Sequence, residues 1–354
     1  MGFLGPSREV KGIGAALAKV DHGWRAMVAI GAVPAIVLLC LLPLCPESPR
    51  QLVYHGRYDE AERVIARIFP NGTQLQVQQK VQHITQHVNQ AKQAVAGKST
   101  FWLLKQLYVV PSNLRALIAA CGLMAISQLG GFNSLMYYSS TLFGIVGFSN
   151  PVAVGTIIAG TNFIFTWVNL MLVDRIGRRR ILLCTMWAMA LFLGLAAVCF
   201  HWIPVNHDLT LVNAKVGWPA DVVLICMVFY VAFYSSGMGN TAWLSSEFFP
   251  MEIRALGTMM LTCTCWGSNV IVASTFLTQM ENTTPSGAFG FYAAICFFGW
   301  IAVYFCYPEV KGMTLEDIRE IFMHGFGVQR ARELQKEAKL NRKLQKENSQ
   351  ELKV

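Results

Sequence analysis

The chain has 354 residues, a formal net charge of +9, only 14% charged residues and 54% hydrophobic ones, 22 phenylalanines among them. A soluble globule of that composition would aggregate, so the chain is assigned to a membrane. Its basic residues fall in loops between apolar runs and in the tail, which excludes a nucleic-acid-binding domain and reads instead as membrane topology.

Residues 1–22 contain Arg8, Lys11 and Lys19 and lack the basic start, apolar core and small-residue cleavage site of a signal peptide. They are expected to be the remnant of an outer segment, the beginning of a longer protein being absent. Apolar stretches able to cross roughly 30 Å of hydrocarbon lie near 24–45, 115–143, 152–173, 181–203, 221–245, 255–280 and 287–307, which predicts seven spans. Loops and tail on one side carry 23 lysines and arginines, whereas the opposite-side loops 144–151, 204–220 and 281–286 carry one, Lys215; residues 1–22, on that same outer side, run against the bias. The positive-inside rule therefore places 46–112, 174–180, 246–254 and 308–354 in the cytosol, C-terminus included. Asn282-Thr283-Thr284 is a glycosylation triplet on the outer side, set too close to a helix end for use. The ten cysteines lie in or beside apolar runs without paired or metal-like spacing and read as reduced packing residues.

In the long loop, Ala61, Val64, Ile65 and Ile68, then Val77, Val81, Ile84 and Val88, recur at helical spacing. They predict two or three short amphipathic helices beneath the membrane domain. After the seventh span, Thr314-Leu315-Glu316-Asp317 resembles a capping box opening a helix that buries Leu315, Ile318 and Ile321. From Gln329 the chain becomes a polar helix or disordered tail. Pro46-Glu47 closes the first span and Pro308-Glu309 the seventh, a repeat that fits a protein of two six-helix halves. The expected organisation is a residual outer segment (1–22), the last helix of a first bundle (23–45), a cytosolic helical loop (46–112), a six-helix bundle (113–307) and a cytosolic helix and tail (308–354).

The second span contains SQLGGFNSLMYYSS, residues 127–140. Polar groups at that depth are tolerated only when they face protein or a water-filled cavity, and broken helices there usually line a substrate path. Gly130 and Gly131 therefore predict a helix break, with the amides of Gln128 and Asn133 turned inward. An amide offers donors and an acceptor without net charge, which suits a neutral polyol.

Three further stretches stand out: DRIGRRR (174–180), GMGNTAWLSSEFFPMEIRALG (237–257), and the paired PESPR and PEVKG endings. Together with the second-span motif, and in this order, they resemble the sugar porter family of the major facilitator superfamily over residues 23 to 325. GFNSLMYYSS, GTNFIFTWV, ASTFLT and YFCYPE resemble the fungal myo-inositol transporters within it. The resemblance implies an all-α membrane protein: the family's C-terminal six-helix bundle preceded by one transmembrane helix.

It also implies roles. Gln128, Asn133, Asn162, Trp243 and Asn269 match substrate contacts, Trp243 offering a flat apolar face. Gly130, Gly131, Tyr137 and Tyr138 match the gate. Asp174, Arg178, Arg179, Glu247, Arg254, Glu47 and Glu309 match a cytosolic charge network that holds two bundles together in one state of an alternating-access cycle. Two departures stand in the motifs: Ser127 replaces the family's first glutamine, and Ala242 its proline before the tryptophan. The implied function is proton symport of a neutral polyol or sugar, foremost myo-inositol, across the plasma membrane, with no cofactor. Proton coupling needs an acid within the membrane, yet Asp174, Asp221, Glu247 and Glu281 all sit at span ends. The chain by itself is thus expected not to transport.

Passive facilitation and a non-transporting sugar sensor remain open at this stage. A seven-helix receptor fits the span count but not the long first loop or the DRIGRRR turn. Enzymatic readings are weakest: His83 and His87 are four apart on a glutamine-rich stretch, and no Ser-His-Asp set is discernible.

Overall fold

A computed structural model of the chain describes residues 23–148, 150–203, 217–311, 313, 315–323 and 325–337. Among the described residues all regular structure is helical. They fall into two compact units divided between Leu103 and Leu104. The expectations for residues 1–22, Lys215, Thr314 and the tail beyond 337 lie outside the described residues.

The first unit begins with α1 (Gly23–Leu41), closed by a 3-10 turn over Leu42–Leu44. Ile36, Leu38, Leu39 and Leu42 of this stretch are exposed, a surface suited to lipid rather than water. Three helices follow: α2 (Pro49–Tyr54), α3 (Tyr58–Ile68) and α4 (Gln74–Val95). Pro49 opens α2 at its first turn, where the missing N–H has no helical partner to lose. Thr73 and Gln76 form a reciprocal capping box that starts α4. Leu52, Val53, Ala61 and Val88 make the core, with Val64 and Ile84 packed against it. Ile68, expected on the buried stripe, is instead exposed: it is the last residue of α3 and lines an open groove with Phe69 and, from α4, Val77 and Lys80. Lys92 ties α4 back to α2 by donating to the Tyr54 carbonyl at 2.5 Å while its ammonium lies 4.2 Å from the Tyr54 ring centroid.

α5 (Thr100–Val109) leads into the second unit: α6 (Pro111–Leu129), α7 (Phe132–Val146), α8 (Pro151–Ile176), α9 (Arg178–His201) and α10 (Trp218–Phe233). A π-helical turn (Tyr234–Met238), α11 (Gly239–Leu244), a 3-10 turn (Ser245–Phe248), α12 (Arg254–Cys306), α13 (Leu315–Met323) and a helical stretch over 328–337 complete it. Five stretches are long and apolar enough to cross a membrane: Pro111–Val146, Pro151–Val173, Arg178–His201, Trp218–Phe248 and Arg254–Cys306. In the first unit the apolar helix covers only Ala32–Leu44. The expected sixth and seventh spans form one 53-residue helical run, bent at Thr284 with φ 68° and ψ 155°. Pro285 explains the bend: its ring forces the preceding residue out of helical geometry, so a single residue replaces a loop.

α9 is central, packed against α10 and the second half of α12. Phe200 and Phe289 stack at 4.9 Å, Ser286 bonds the Ala197 carbonyl at 2.6 Å, and the Trp300 indole donates to the Leu183 carbonyl at 3.0 Å. By contrast only 17% of the α8 span is buried within the unit, against 50% for α9, so most of α8 faces outward. Beyond the spans, Ile318 and Ile321 are buried as expected and Phe322 is buried beside them, while the Leu315 side chain lies outside the described residues. Arg115 donates to the Phe322 and Met323 carbonyls, both at 3.0 Å, and so caps the end of α13. All ten cysteines are free.

Candidate functional site

The helix break is where the second unit brings the most polar groups together. α6 stops at Leu129 and α7 starts at Phe132, with Gly131 at φ 89° between them. A left-handed backbone favours glycine, and space demands it too: a Cβ at Gly131 would stand 3.0 Å from Cγ of Tyr292. The Gly130 carbonyl, freed by the break, accepts from the Tyr230 hydroxyl of α10 at 2.9 Å. Three elements therefore meet at this point: the broken helix, α10 and the second half of α12.

Across the break, the Asn133 amide nitrogen donates to the side-chain carbonyl of Gln128, which is only 6% exposed. Ser127, the residue standing where the family has glutamine, bonds the Tyr234 hydroxyl at 3.0 Å. The Tyr234 ring lies flat on Phe132, 3.7 Å between centroids. Its short side chain thus fastens the break to the π turn instead of reaching outward. Tyr138 donates to the Ala273 carbonyl at 3.1 Å and stacks on Phe276, tying α7 to the first half of α12. Tyr137 is 57% exposed.

Asn162 accepts from the Ser235 hydroxyl at 2.6 Å. Two turns along the same helix, the fully buried Asn169 donates to the Ser236 carbonyl and accepts from Asn240 at 3.2 Å. These bonds form a polar ladder between α8 and the π turn that continues into α11. Asn169 and Asn240 escaped sequence reasoning, although the spacing of seven from Asn162 was a signal that both amides share one face. Trp243 on α11 is 42% exposed, and Asn269 on α12 is buried. Neither bonds the Gln128–Asn133 pair, and neither side chain has a hydrogen-bond partner among the described residues. Ser134 and Thr241 keep buried hydroxyls without partners, two polar groups the motifs did not flag. Beside the break lies a cavity of about 500 Å³ lined by Leu129, Ser274, Thr275, Thr278, Gln279 and Tyr292. Gln128, Asn133 and Trp243 do not line it.

A charged cluster occupies the opposite end of α9. Arg178 pairs with Glu247 at 3.0 Å. Glu309 accepts from the backbone N–H groups of Arg178 (3.2 Å), Arg179 (3.0 Å) and Lys311 (3.2 Å), so its carboxylate caps α9. Gly177 makes room for it: a Cβ there would sit 2.6 Å from the Glu309 carboxylate. Arg179 is 6% exposed and donates to the Tyr304 carbonyl at 2.6 Å, and Arg254 makes two bonds to the Phe249 carbonyl. Tyr307 is hydrogen-bonded to Ser245 at 3.2 Å. The Asp174 side chain lies outside the described residues. Glu47 pairs with Arg57 inside the first unit, at 3.3 Å.

These features converge with the chain's matches to known proteins. Residues 10–322 match the family model for sugar (and other) transporters. The chain belongs to that family. Within this sugar transporter family it is similar to myo-inositol transporter 1 of Cryptococcus neoformans, 41% identical over 92% of this chain and 58% of that protein. It is also similar to myo-inositol transporter 1 of Saccharomyces cerevisiae, 38% identical over 93% of this chain and 57% of that one. The chain thus spans a little under three-fifths of the length of these curated relatives. The fold is that of XylE, a proton:xylose symporter of the major facilitator superfamily: TM-score 0.70, 24% identity, 88% of this chain and 63% of that one. The relatives are transporters, not enzymes.

Proposed function

We propose that this chain forms the C-terminal part of an alternating-access carrier for a neutral polyol, foremost myo-inositol, working as a proton symporter in its full-length form. The observation that carries the reading is the glycine break flanked by the Gln128–Asn133 amide pair. One hydrogen bond, donated by Asn133 to the Gln128 side-chain oxygen, joins the two, and the remaining donors and acceptors of Asn133 are unused among the described residues. Neutral hydrogen bonds contribute about 1 kcal/mol net each. Four or five of them, from Gln128, Asn133, Asn162 and Asn269 with Trp243 as an apolar wall, give weak binding, and a carrier must release its cargo.

In this reading the chain crosses the plasma membrane seven times with its C-terminus in the cytosol, and α2, α3 and α4 lie in the cytosolic loop. Gly130, Gly131, Tyr137 and Tyr138 act as the gate. The Arg178–Glu247 pair and the Glu309 cap, with Arg179, Arg254, Asp174 and Glu47, belong to the charge network that opens when the bundles rock. The similarity to myo-inositol transporters supports the cargo, and that to a proton:xylose symporter supports the coupling.

Uptake of radiolabelled myo-inositol in yeast lacking its own carriers tests this. The 354 residues alone are expected to give none. Joined to the N-terminal helices of a full-length fungal relative, they are expected to give uptake that a protonophore abolishes and excess myo-inositol competes. Uptake by the chain alone would overturn the half-carrier reading, and protonophore-resistant uptake by the joined protein would replace symport with facilitation.

A further inference from the structure

Away from the helix break, the start of α9, the segment just after α12 and the helical stretch over 328–337 border an open pocket of about 450 Å³. Arg179, Arg180, Arg332 and Lys336 line it, with Glu309 and Gln335. Four cations thus face one carboxylate, and that carboxylate is already engaged by three backbone N–H groups. None of the four cations forms an ion pair with a carboxylate among the described residues. Arg179 is the least hydrated of them: it is 6% exposed, its Nε is buried without a partner, and its single bond goes to the Tyr304 carbonyl. Arg180, Arg332 and Lys336 are exposed and only Arg179 is buried, so the four like charges repel one another at a hydrated rim that an anion joining them would relieve.

The location says which anion. The cavity sits where two apolar spans end, at Arg178 and at Cys306. Its floor includes Leu183, one turn inside the apolar part of α9. Tyr304 and Phe305 beside it are exposed, as aromatic residues at a membrane surface are. A phosphate group at headgroup level would meet the guanidinium and ammonium groups, with acyl chains running down the apolar side of α9.

We propose that this pocket binds the phosphate monoester headgroup of an anionic membrane lipid. Arg180, Arg332 and Lys336 supply the charge, Arg179 backs the site from within, and the lipid fastens the 328–337 helix to the end of the bundle. Basic pockets between spanning helices are known headgroup sites, and the planar guanidinium matches phosphate oxygens in pairs.

The test uses the full 354-residue chain, purified in detergent and followed by thermal unfolding. Dioctanoyl phosphatidic acid is expected to raise the unfolding midpoint saturably, and dioctanoyl phosphatidylcholine is not. In the double variant Arg332→Gln/Lys336→Gln the half-saturating concentration is expected to rise about thirtyfold, from about 1 kcal/mol for each basic side chain at an anionic surface. Arg180→Gln serves as a second variant should the double one not fold. Inorganic phosphate matching phosphatidic acid in potency would keep the anion site but reassign its source to free phosphate. No shift with either anion, or an unchanged response in both variants, overturns the proposal.

Discussion

Replacing Gly131 by alanine should damage the protein far more than the same change one residue earlier. Gly131 has φ 89°, a conformation that costs an L-residue roughly 1–2 kcal/mol. The new Cβ would also lie 3.0, 3.1 and 3.3 Å from three carbons of the Tyr292 ring, closer than a buried ring held by its bond to Gln279 can yield. Overpacking of that kind costs roughly 1–3 kcal/mol, for a total of about 2–5 kcal/mol. At Gly130 the backbone is right-handed at φ −65°, and the Cβ would stand 3.1 Å from the Ile126 carbonyl oxygen of the preceding turn and 3.3 Å from the Cys296 sulfur. There, loss of unfolded-chain freedom offsets the contact, and the net effect should stay within about 1 kcal/mol. Unfolding of both variants in mixed detergent–SDS micelles, followed by circular dichroism, measures the difference directly. Tyr292→Leu in the Gly131→Ala background should recover the steric share but not the conformational one. Equal stability of the two alanine variants, or no relief from Tyr292→Leu, would refute the argument that this break needs glycine at Gly131.

Other substitutions probe the rest of the site. Asn133→Ala should raise KM for uptake in the joined carrier roughly fivefold, about 1 kcal/mol for one lost amide, while kcat changes little. Asn169→Ala leaves the Ser236 carbonyl and the Asn240 amide without their partner and should lower stability by roughly 1–3 kcal/mol, read as a drop in thermal midpoint. Glu309→Ala uncaps α9 and should cost about 2 kcal/mol, whereas Glu309→Gln, which keeps an acceptor, should recover part of it. Arg178→Gln and Glu247→Gln should each destabilise, and the double variant should be less impaired than the sum, because the pair is only partly hydrated.

Much of this was legible in the sequence because bilayer constraints are coarse and strong. A run of twenty apolar residues or a Gly-Gly pair within one admits few alternatives, and the five long apolar stretches of the second unit and the break at Gly130–Gly131 follow from that. What the motifs could not convey was which partner each polar group takes. Asn162 carries an amide that suits a polyol, yet in the folded chain its carbonyl oxygen is held by Ser235, and only a three-dimensional arrangement reveals the π turn that holds Ser235 there. Ser127 stood out as a missing glutamine, but its bond to Tyr234 spans 107 residues of chain and leaves no local signature. Ile68 misled for the opposite reason, since periodicity marks a face without saying whether a neighbour extends far enough to cover it. The bend at Thr284 was hidden because short polar stretches read as loops, whereas Pro285 allows one residue to turn the chain.

The wide turn at Tyr234–Met238 holds one residue more than an ordinary helical turn would. Every side chain after it is rotated by about 100° about the helix axis, so Asn240 meets Asn169 and Trp243 takes its present bearing through that surplus residue alone. Were the wide turn to tighten into an ordinary one, the ladder and the tryptophan would swing round together while the helix stayed intact. Deleting a single residue within YSSGM would test that dependence: secondary structure should persist, while the aromatic face points elsewhere.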